Sequence, residues 1–440
     1  QQLRCGFDRS KVRAPENSAY ALPRHRRRAG QDRGELDGAR GVDEREELDV
    51  PRRAQKFFIK RVLKFLFIFL SYLFILFNNI LLGSEEDGKL KIGLLVPFSG
   101  KYQELGNSLL LSTQLALDEI DDNDIVIIPR DSGSDDKEKL NLAIKELINN
   151  NVKVIIGPPN SLFASELEKY TDTIFISLSN KNPKISKNTI NIGISLESQI
   201  LAIKSLLEKE KKTKTVILYP KNDYEKFIDE KIKSLKLDNY KVFKYSPDAT
   251  IVTGEIEKLT NYDQRKRNLL ARKKALEGKE DPQSERELAI LDQLYTLGNV
   301  NFDSLIIIDF GNSLKSVLSS LAYTDVDERS VLFTTVNQWF DETVFKEGSI
   351  KNLYFPSINM KQFKKYNETY FKTYDLKPDE ISILAYDALG LIYYVWNKNN
   401  GINSISDFYI KDKIKGKIGT FYFTDNKLLQ DLKIYKIEDS

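Results

Sequence analysis

Residues 89–100 read KLKIGLLVPFSG, and this stretch decides how the rest of the chain is interpreted. A short apolar run ends in the segment PFSG at 97–100, which predicts a buried strand that runs into a turn. Leu110, Leu117 and Ile120 follow at helical spacing and predict a helix after the turn. The stretch therefore predicts the strand–turn–helix unit from which parallel sheets are built.

The same alternation of strands and helices continues in two series. In the first, strand-like runs lie at 125–128, 152–156 and 173–177, with helical patterns at 137–149 and 161–170. In the second, strand-like runs lie at 215–219, 240–245, 304–309 and 331–335, with helical patterns at 224–235 and 313–322. A long amphipathic helix at 379–396 and strand-like pieces at 417–423 and 432–437 follow. Two such series predict an α/β protein with two doubly wound parallel-sheet lobes.

Composition sets the first residues apart from the remainder. Residues 1–55 contain 12 of the 19 Arg residues and no Ile. Few aromatic or β-branched residues accompany these charges, so this stretch cannot bury enough apolar surface to fold. We interpret 1–55 as a basic tail, either disordered or translated from upstream sequence and foreign to the folded protein. A nucleic-acid-binding arm is the alternative, but acidic residues at 43–49 follow the Arg-rich 24–28 and disfavour it.

Residues 56–84, KFFIKRVLKFLFIFLSYLFILFNNILLGS, have the layout of an export signal. A basic segment precedes an apolar run from Phe65 to Phe77, which is typical of secretory signals. The sequence is compatible with a cleaved signal and with an uncleaved membrane anchor. The basic residues on the N-terminal side of the apolar run favour an orientation in which the rest of the chain lies outside the cytoplasmic membrane. Ser84 stands where a bacterial lipobox needs Cys, so we expect no lipoprotein. We expect a periplasmic protein whose only membrane contact is through 56–84.

A highly charged stretch with a helical pattern interrupts the second series at 255–297. Asp281-Pro282 breaks the pattern in the middle, which predicts a helical hairpin inserted in the second lobe. The apolar seam of this hairpin is predicted to consist of Leu269, Leu270, Leu288, Leu291 and Leu294. Two interpretations stay open, a solvated decoration that rests on its lobe and an arm that docks a partner.

The residue types present after residue 55 exclude several common kinds of catalytic site. The only Cys and the only His are Cys5 and His25, so residues 56–440 offer no thiol nucleophile and no imidazole base. The commonest zinc ligands are missing for the same reason, and GxSxG, Walker and HExxH motifs do not occur. Residues 85–440 carry 50 Lys plus Arg against 54 Asp plus Glu, which gives no support for a nucleic-acid partner. We expect no enzyme, no catalytic residues, no metal and no cofactor.

Several segments resemble the type I periplasmic-binding-protein family that includes the Leu/Ile/Val-binding proteins. They are PFSG at 97–100 with Gly106, LALDEI at 115–120, VIIGP at 154–158, ISLSN at 176–180, AYDA at 385–388 and GTF at 419–421. Their order and spacing across residues 89–440 make the resemblance specific. The charged stretch at 262–308 resembles the insertion of the branch called penicillin-binding-protein activators, whose members are thought to support peptidoglycan synthases.

The resemblance implies how the chain is divided between the lobes. It assigns 85–205 to the first part of lobe 1, 206–357 to lobe 2 with the insertion, and 358–440 to the second part of lobe 1 and the final strands. It also implies a multi-crossing hinge and a ligand cleft at the carboxyl ends of the parallel strands.

In amino-acid-binding relatives, hydroxyls and backbone groups after the lobe 1 strands meet the ligand, and lobe 2 provides an aromatic residue. The matching lobe 1 positions are Ser99, Gly100, Ser161, Ser177 and Ser179. Tyr224 matches the lobe 2 aromatic, and Phe310 and Trp339 also follow predicted lobe 2 strands. A helix cap or a turn is the alternative role for each Ser. No acidic residue is assigned to a ligand ammonium group, and the cleft is interpreted either as a site for a small amino-acid-like ligand or as vestigial.

Two functions follow from the resemblance. The first is an envelope regulator that resembles activators of penicillin-binding proteins and binds an envelope protein through 255–297. The second is a solute receptor of an amino-acid-type ABC transporter. Fold similarity alone does not choose between them.

Overall fold

The sequence LKIGLLV forms a buried strand in the computed structural model, which describes residues 88–160, 164–179, 186–235, 237–326, 328–337 and 352–437. The predicted tail 1–55 and export signal 56–84 lie outside these ranges. All described residues belong to one compact unit, Leu81–Ser440. No helix within the described ranges combines the length and apolar character needed to cross a bilayer.

The strands in chain order are β1 (Leu90–Val96), β2 (Ile125–Asp131), β3 (Val154–Ile156), β4 (Ile174–Ser177), β5 (Thr189–Asn191), β6 (Thr215–Pro220), β7 (Tyr240–Tyr245), β8 (Ser304–Ile307), β9 (Leu332–Thr335), β10 (Leu353–Ser357), β11 (Ile414–Lys415), β12 (Thr420–Thr424), β13 (Lys427–Asp431) and β14 (Lys433–Lys436). The helices are α1 (Gln103–Ile120), α2 (Lys137–Asn149), α3 (Ala164–Leu167), α4 (Leu196–Lys209), α5 (Glu225–Ser234), α6 (Ala249–Leu259), α7 (Tyr262–Leu276), α8 (Pro282–Leu291), α9 (Gly311–Tyr323), α10 (Met360–Tyr374) and α11 (Ser382–Asn399). Single 3-10 turns occupy Gly100–Tyr102 and Ile405–Phe408.

Lobe 1 is built on a parallel sheet with strand order β2-β1-β3-β4-β5. Strand β1 is buried on both faces. Ile92, Leu94 and Val96 pack into the core with α1 and α11, whereas Leu95 packs with α2 on the other face. Burial on both faces explains why β1 is a continuous apolar run rather than an alternating one.

Lobe 2 repeats this topology with strand order β7-β6-β8-β9-β10 and adds β14 antiparallel to β10. The predicted pair of doubly wound parallel sheets is therefore confirmed. A small antiparallel sheet of β11, β12 and β13 packs on lobe 1, where Phe421 and Leu428 join the core of α11.

The chain passes between the lobes at three places among the described residues. The first crossing lies at 192–196, ahead of the predicted boundary at 205, because Ile200, Ile203 and Leu207 of α4 bury against the lobe 2 strand β6. The second lies between β10 and α10, whose Tyr366 and Tyr370 belong to the lobe 1 core. The third lies between β13 and β14, the last strand of the lobe 2 sheet.

The predicted helical hairpin is present as α7 and α8. Leu269, Leu276 and Leu291 form its buried seam, with Leu288, Leu294 and Leu297 packed against them. Leu270 was wrongly predicted in this seam. It is 57% exposed because it lies about 100° around α7 from Leu269, outside the buried stripe. Residues 255–259 of the predicted hairpin belong to α6, which buries Val252 and Ile256 in the lobe 2 core.

Candidate interlobe site

The predicted lobe 1 site residues follow strands that are neighbours in the sheet. Strands β1, β3 and β4 run side by side in the same direction, so their carboxyl ends lie at one edge. Ser99 and Gly100 follow β1, Ser177 ends β4, and Ser179 comes two residues later. The fold therefore brings these four residues to the same edge. Ser161 lies outside the described residues.

Ser99 belongs to an ionic cluster that holds the turn after β1. Lys139 Nζ donates to the Ser99 hydroxyl at 2.8 Å and pairs with Asp131 at 2.6 Å. Asp131 also accepts the backbone N–H groups of Phe98 and Gly133, both at 2.9 Å. Burial opposes ionisation of Asp131, but hydrogen bonds from Lys139, Gly133, Ser99 and Phe98 outweigh it and lower its pKa to about 2. A ligand would compete with this cluster for the Ser99 hydroxyl.

The backbone at Gly100 has a conformation that favours glycine. Its φ is +77°, and a Cβ there would lie 2.7 Å from the Oγ of Ser134. The Ser134 hydroxyl in turn donates to the Ser99 carbonyl at 2.9 Å. Gly100 therefore lets the turns after β1 and β2 approach each other at the carboxyl edge.

Ser177 and Ser179 are buried at the end of β4. The hydroxyl of Ser177 accepts the backbone N–H of Ser179 at 3.3 Å, which closes a local turn. The Ser177 carbonyl accepts the N–H of Ile192 at 2.9 Å, next to the first crossing. These contacts correspond to the turn role that the sequence left open for each Ser.

The predicted lobe 2 residues are exposed aromatics at the matching edge. Tyr224 and Phe310 are each 43% exposed, and they follow the adjacent parallel strands β6 and β8. Each stands directly before a helix, α5 for Tyr224 and α9 for Phe310. Two exposed aromatic side chains thus lie at the lobe 2 edge, while Trp339 lies outside the described residues.

Asp309 is a polar residue at the same edge of the lobe 2 sheet that the sequence analysis did not assign to the candidate site. It lies two residues beyond β8 and is buried. One carboxylate oxygen accepts the Tyr245 hydroxyl at 2.5 Å, and the other accepts the N–H of Phe310 at 2.8 Å. Burial raises the pKa of Asp309 above its usual value. The signal was available, because an acidic residue that ends an apolar strand of a parallel sheet lies at the binding edge.

A groove lies elsewhere on lobe 1. It has a volume of about 850 Å³ and lies between α1, α11 and the turn that joins β11 to β12. Asp387 of α11 accepts the backbone N–H groups of Lys417 and Ile418, both at 2.8 Å. Glu119 of α1 pairs with Lys417 Nζ at 2.9 Å and accepts the Tyr386 hydroxyl. These contacts fasten the small sheet to the lobe.

The interlobe edge combines polar and aromatic groups. Hydroxyls, two aromatic faces and one buried carboxyl lie there, and groups of these kinds line small-molecule sites in proteins. Among the described residues, no three His, Cys, Asp or Glu side chains lie close enough together to hold a metal ion.

Comparison with known proteins agrees with this architecture. Residues 89–247 match the family model described as a periplasmic binding protein. No curated protein sequence matches the chain. The described chain has the fold of the type I periplasmic binding proteins, so the resemblance seen in the sequence is confirmed.

Solved structures of two kinds share this fold. A protein from Rhodospirillum rubrum described as a branched-chain amino acid ABC transporter has 11% identity and a TM-score of 0.59, with 80% of this chain and 98% of that chain covered. The periplasmic ligand-binding protein of a branched-chain amino acid ABC transporter from Burkholderia xenovorans LB400 has 11% identity and a TM-score of 0.54, with 79% and 90% covered. The C-domain of LpoA from Haemophilus influenzae, a regulator of PBP1A, has 14% identity and a TM-score of 0.52, with 79% and 98% covered. At these identities the likeness concerns the fold alone.

Proposed function

We propose that this chain is an exported, non-catalytic envelope regulator that binds a peptidoglycan synthase, as penicillin-binding-protein activators do. The observation that carries the proposal is the helical pair α7–α8, an inserted element attached firmly to lobe 2. An insertion that only rests on the surface of its lobe needs no such attachment. An arm that docks a partner benefits from being held rigidly, because little conformational entropy is then lost on binding.

Arg265 provides the main attachment of the pair. Its side chain is buried and donates to the carbonyls of Gly298, Thr324 and Asp325 at 2.8, 2.7 and 2.9 Å. The two carbonyls at 324 and 325 follow the end of α9, where a cation is favoured. The Tyr262 ring also stacks on Tyr323 of α9 with 5.4 Å between ring centres.

Ion pairs fix the two helices of the pair to each other. Arg272 of α7 donates to both carboxylate oxygens of Glu287 at 2.6 and 2.8 Å. Lys273 pairs with Asp292 at 2.8 Å. Together with the leucine seam, these contacts support a preformed surface rather than a loose excursion of the chain.

Binding of the compact unit, residues 81–440, to the extracytoplasmic domain of the bifunctional peptidoglycan synthase from the same organism tests this proposal. We expect saturable binding in biolayer interferometry and faster glycan polymerisation by the synthase. A variant in which residues 261–297 are deleted, so that residue 260 is joined directly to Gly298, should fold and lose the binding. Absence of binding by the unaltered protein would contradict the proposed function.

The second candidate is a solute receptor, which is favoured by the exposed Tyr224 and Phe310 at the lobe 2 edge. Thermal unfolding against a panel of amino acids and small anions tests it. A ligand at a hundredfold excess over its Kd stabilises the folded state by about 2.7 kcal/mol. A shift of the melting temperature that the Ser177→Ala, Ser179→Ala double variant abolishes would favour the receptor over the regulator.

A further inference from the structure

Gly390 is a glycine inside helix α11 that the fold does not require. A Cβ at this position would face open space, with no described side chain within 4 Å. Glycine weakens a helix relative to alanine, because a glycine loses more conformational freedom when the chain folds. Gly390 lines the groove of lobe 1 between α1, α11 and the turn that joins β11 to β12. The missing side chain therefore keeps this groove open and contributes nothing to the packing of the lobe.

Large side chains stand on both sides of Gly390. Tyr386 lies one turn before it and Tyr394 one turn after it, so the three residues share one side of α11 and are spaced about 6 Å apart along the helix axis. Tyr386 is buried and donates its hydroxyl to Glu119. Tyr394 is 36% exposed. The groove thus has a recess over Gly390 that is bordered by an exposed aromatic ring.

Charged side chains of both signs lie at the groove. Lys417 pairs with Glu119 at 2.9 Å, and Lys398 pairs with Asp412 at 2.5 Å. The three basic groups and the three acidic groups are Lys398, Lys415, Lys417, Asp387, Glu119 and Asp412. Because these charges balance, the groove offers hydrogen-bond donors and acceptors without selecting an anion or a cation.

An exposed ring beside balanced polar groups suits a sugar. A pyranose ring has C–H groups on its faces, which pack on an aromatic ring, and hydroxyl groups around its edge. Carboxylates, ammonium groups and the side-chain amide of Asn397, about one turn beyond Tyr394, can bond to these hydroxyl groups. The groove volume of about 850 Å³ lies within the range of small-molecule sites, roughly 300–1,000 Å³. A lipid chain fits less well, because it would strip water from the charged groups.

A second groove, between α6 and α9 of lobe 2, lacks this combination. Its volume is about 610 Å³, and Tyr323 is the aromatic residue among its described lining residues, which include no glycine. The hydroxyls of Ser316 and Ser320 donate to carbonyls of their own helix at 3.0 and 2.8 Å. The open glycine, the exposed ring and the balanced charges thus occur together in the groove of lobe 1.

We propose that the groove of lobe 1 binds a neutral saccharide, with one sugar ring in the recess over Gly390 and against the ring of Tyr394. Glu119, Lys417 and Asn397 bond to the hydroxyl groups of this sugar. The site uses no residue of the interlobe edge or of the helical pair α7–α8, so it does not depend on the proposed function.

Isothermal titration calorimetry of residues 81–440 tests the inference with the neutral triacetylchitotriose and maltotriose and the anionic trigalacturonate. Gly390→Leu fills the recess, and Tyr394→Ala removes the exposed ring. Gly254→Leu is the matched control for the first variant, because Gly254 is exposed on α6 and a Cβ there also faces open space. Phe371→Ala, which removes an exposed ring of α10, is the control for the second. Circular dichroism and melting temperature verify that each variant folds.

We expect saturable binding of a neutral trisaccharide by the unaltered protein. Gly390→Leu should lose this binding, because the new side chain occupies the space of the sugar ring. Tyr394→Ala should bind about tenfold more weakly, the size of effect expected when an aromatic contact is lost. The two control variants should bind like the unaltered protein, and trigalacturonate should bind no more tightly than the neutral probes.

Three results would overturn the inference. They are absence of binding of both neutral trisaccharides up to about 10 mM, equal binding by Gly390→Leu and Gly254→Leu, and tighter binding of trigalacturonate than of the neutral probes. Binding that Gly390→Leu retains and the Ser177→Ala, Ser179→Ala double variant abolishes would likewise overturn it, by assigning the sugar to the interlobe edge. None of these measurements involves the synthase, so failure of this inference leaves the proposed function standing.

Discussion

The side-chain oxygen of Gln199 accepts the backbone N–H of Asn337 at 2.7 Å, close to the point where the chain first enters lobe 2. The Asn337 side chain then donates to the Ser357 hydroxyl at 2.9 Å, at the second crossing. The hydroxyl of the neighbouring Ser198 accepts the N–H of Gln430 at 2.9 Å, at the third crossing. These buried bonds, which we call the hinge network, join all three crossings, so the crossings are not independent linkers.

We expect Gln199→Ala to destabilise the protein by about 1–3 kcal/mol. The substitution removes the acceptor of a buried backbone N–H, and leaving such a donor unsatisfied carries a cost of that size. Urea denaturation measures the free energy of unfolding. Gln114→Ala, at an exposed position of α1, is the control and should change it little. Equal stabilities of the two variants would show that the bond between Gln199 and Asn337 contributes nothing to stability.

We expect Arg265→Ala to loosen the helical pair before the rest of the protein. Three backbone carbonyls lose their charged donor, at a cost of about 2–4 kcal/mol. Arg265→Lys should rescue only part of this loss, because a single ammonium group cannot reach three carbonyls spread around a guanidinium. Hydrogen exchange should accelerate in 262–291 and stay slow in β1. The exposed Arg267→Ala is the control, and the prediction is wrong if exchange in 262–291 is the same in both variants.

We expect Gly106→Ala to destabilise the protein by about 3 kcal/mol or more, or to prevent folding. A Cβ at Gly106 would lie 1.9 Å from the carbonyl oxygen of Pro97, so α1 could not remain against the turn after β1. Gly254→Ala in α6 is a matched control, because a Cβ there meets nothing within 4 Å. It should stabilise its helix by about 0.5–1 kcal/mol. Similar behaviour of both variants in thermal unfolding would contradict the prediction.

We expect the free energy of unfolding to rise as the pH falls from 7.5 to 5, in part through Asp387. Burial raises the pKa of Asp387 to about 6, although the N–H groups of Ile418 and Lys417 oppose this. Because the folded pKa exceeds the unfolded one, the group favours folding at low pH and this contribution is lost as the pH rises through about 6. A shift of this size corresponds to up to about 3 kcal/mol.

The variant Asp387→Asn isolates this effect. Asn cannot ionise, so the slope of stability against pH between 5 and 7 should become flatter than in the unaltered protein. Asp131, whose pKa is lowered to about 2, acts only in more acidic solution and with the opposite sign, so it does not interfere. Parallel slopes for the variant and the unaltered protein would exclude Asp387 as their source.

The helices and strands with a clear hydrophobic periodicity could be predicted from the sequence. The helix Lys137–Asn149 and the strand Tyr240–Tyr245 occur at the predicted bounds. Strand β5 was missed because three residues are too few to show a period. Helix α10 was missed because its buried residues are aromatic and lie in a lysine-rich stretch. Phe363, Tyr366 and Tyr370 have helical spacing, but the aliphatic residues that usually reveal such a spacing are absent from these positions.

The candidate site was predictable in position but not in detail. The family resemblance pointed to Ser99, Ser177 and Tyr224, and Phe310 was noted because it follows a lobe 2 strand. All four follow strands of the two sheets, and the direction of parallel strands fixes the edge at which they lie. The pairing of the Ser99 hydroxyl with Lys139 joins residues 40 positions apart, and no local pattern encodes it. The burial of Asp309 under Tyr245 depends likewise on how β7 and β8 lie relative to β6.

Periodicity and apolar runs by themselves determined the two-lobed parallel-sheet architecture and the inserted helical pair, since local burial patterns dictate which face of each element is packed. Only the tertiary structure decided which side of α7 is packed and which side, with Leu270, is exposed. It alone also decided the hinge network and the contacts of each site hydroxyl. These features depend on distances between residues far apart in the chain, which are set when helices and sheets pack and not by the order of residues within any one element.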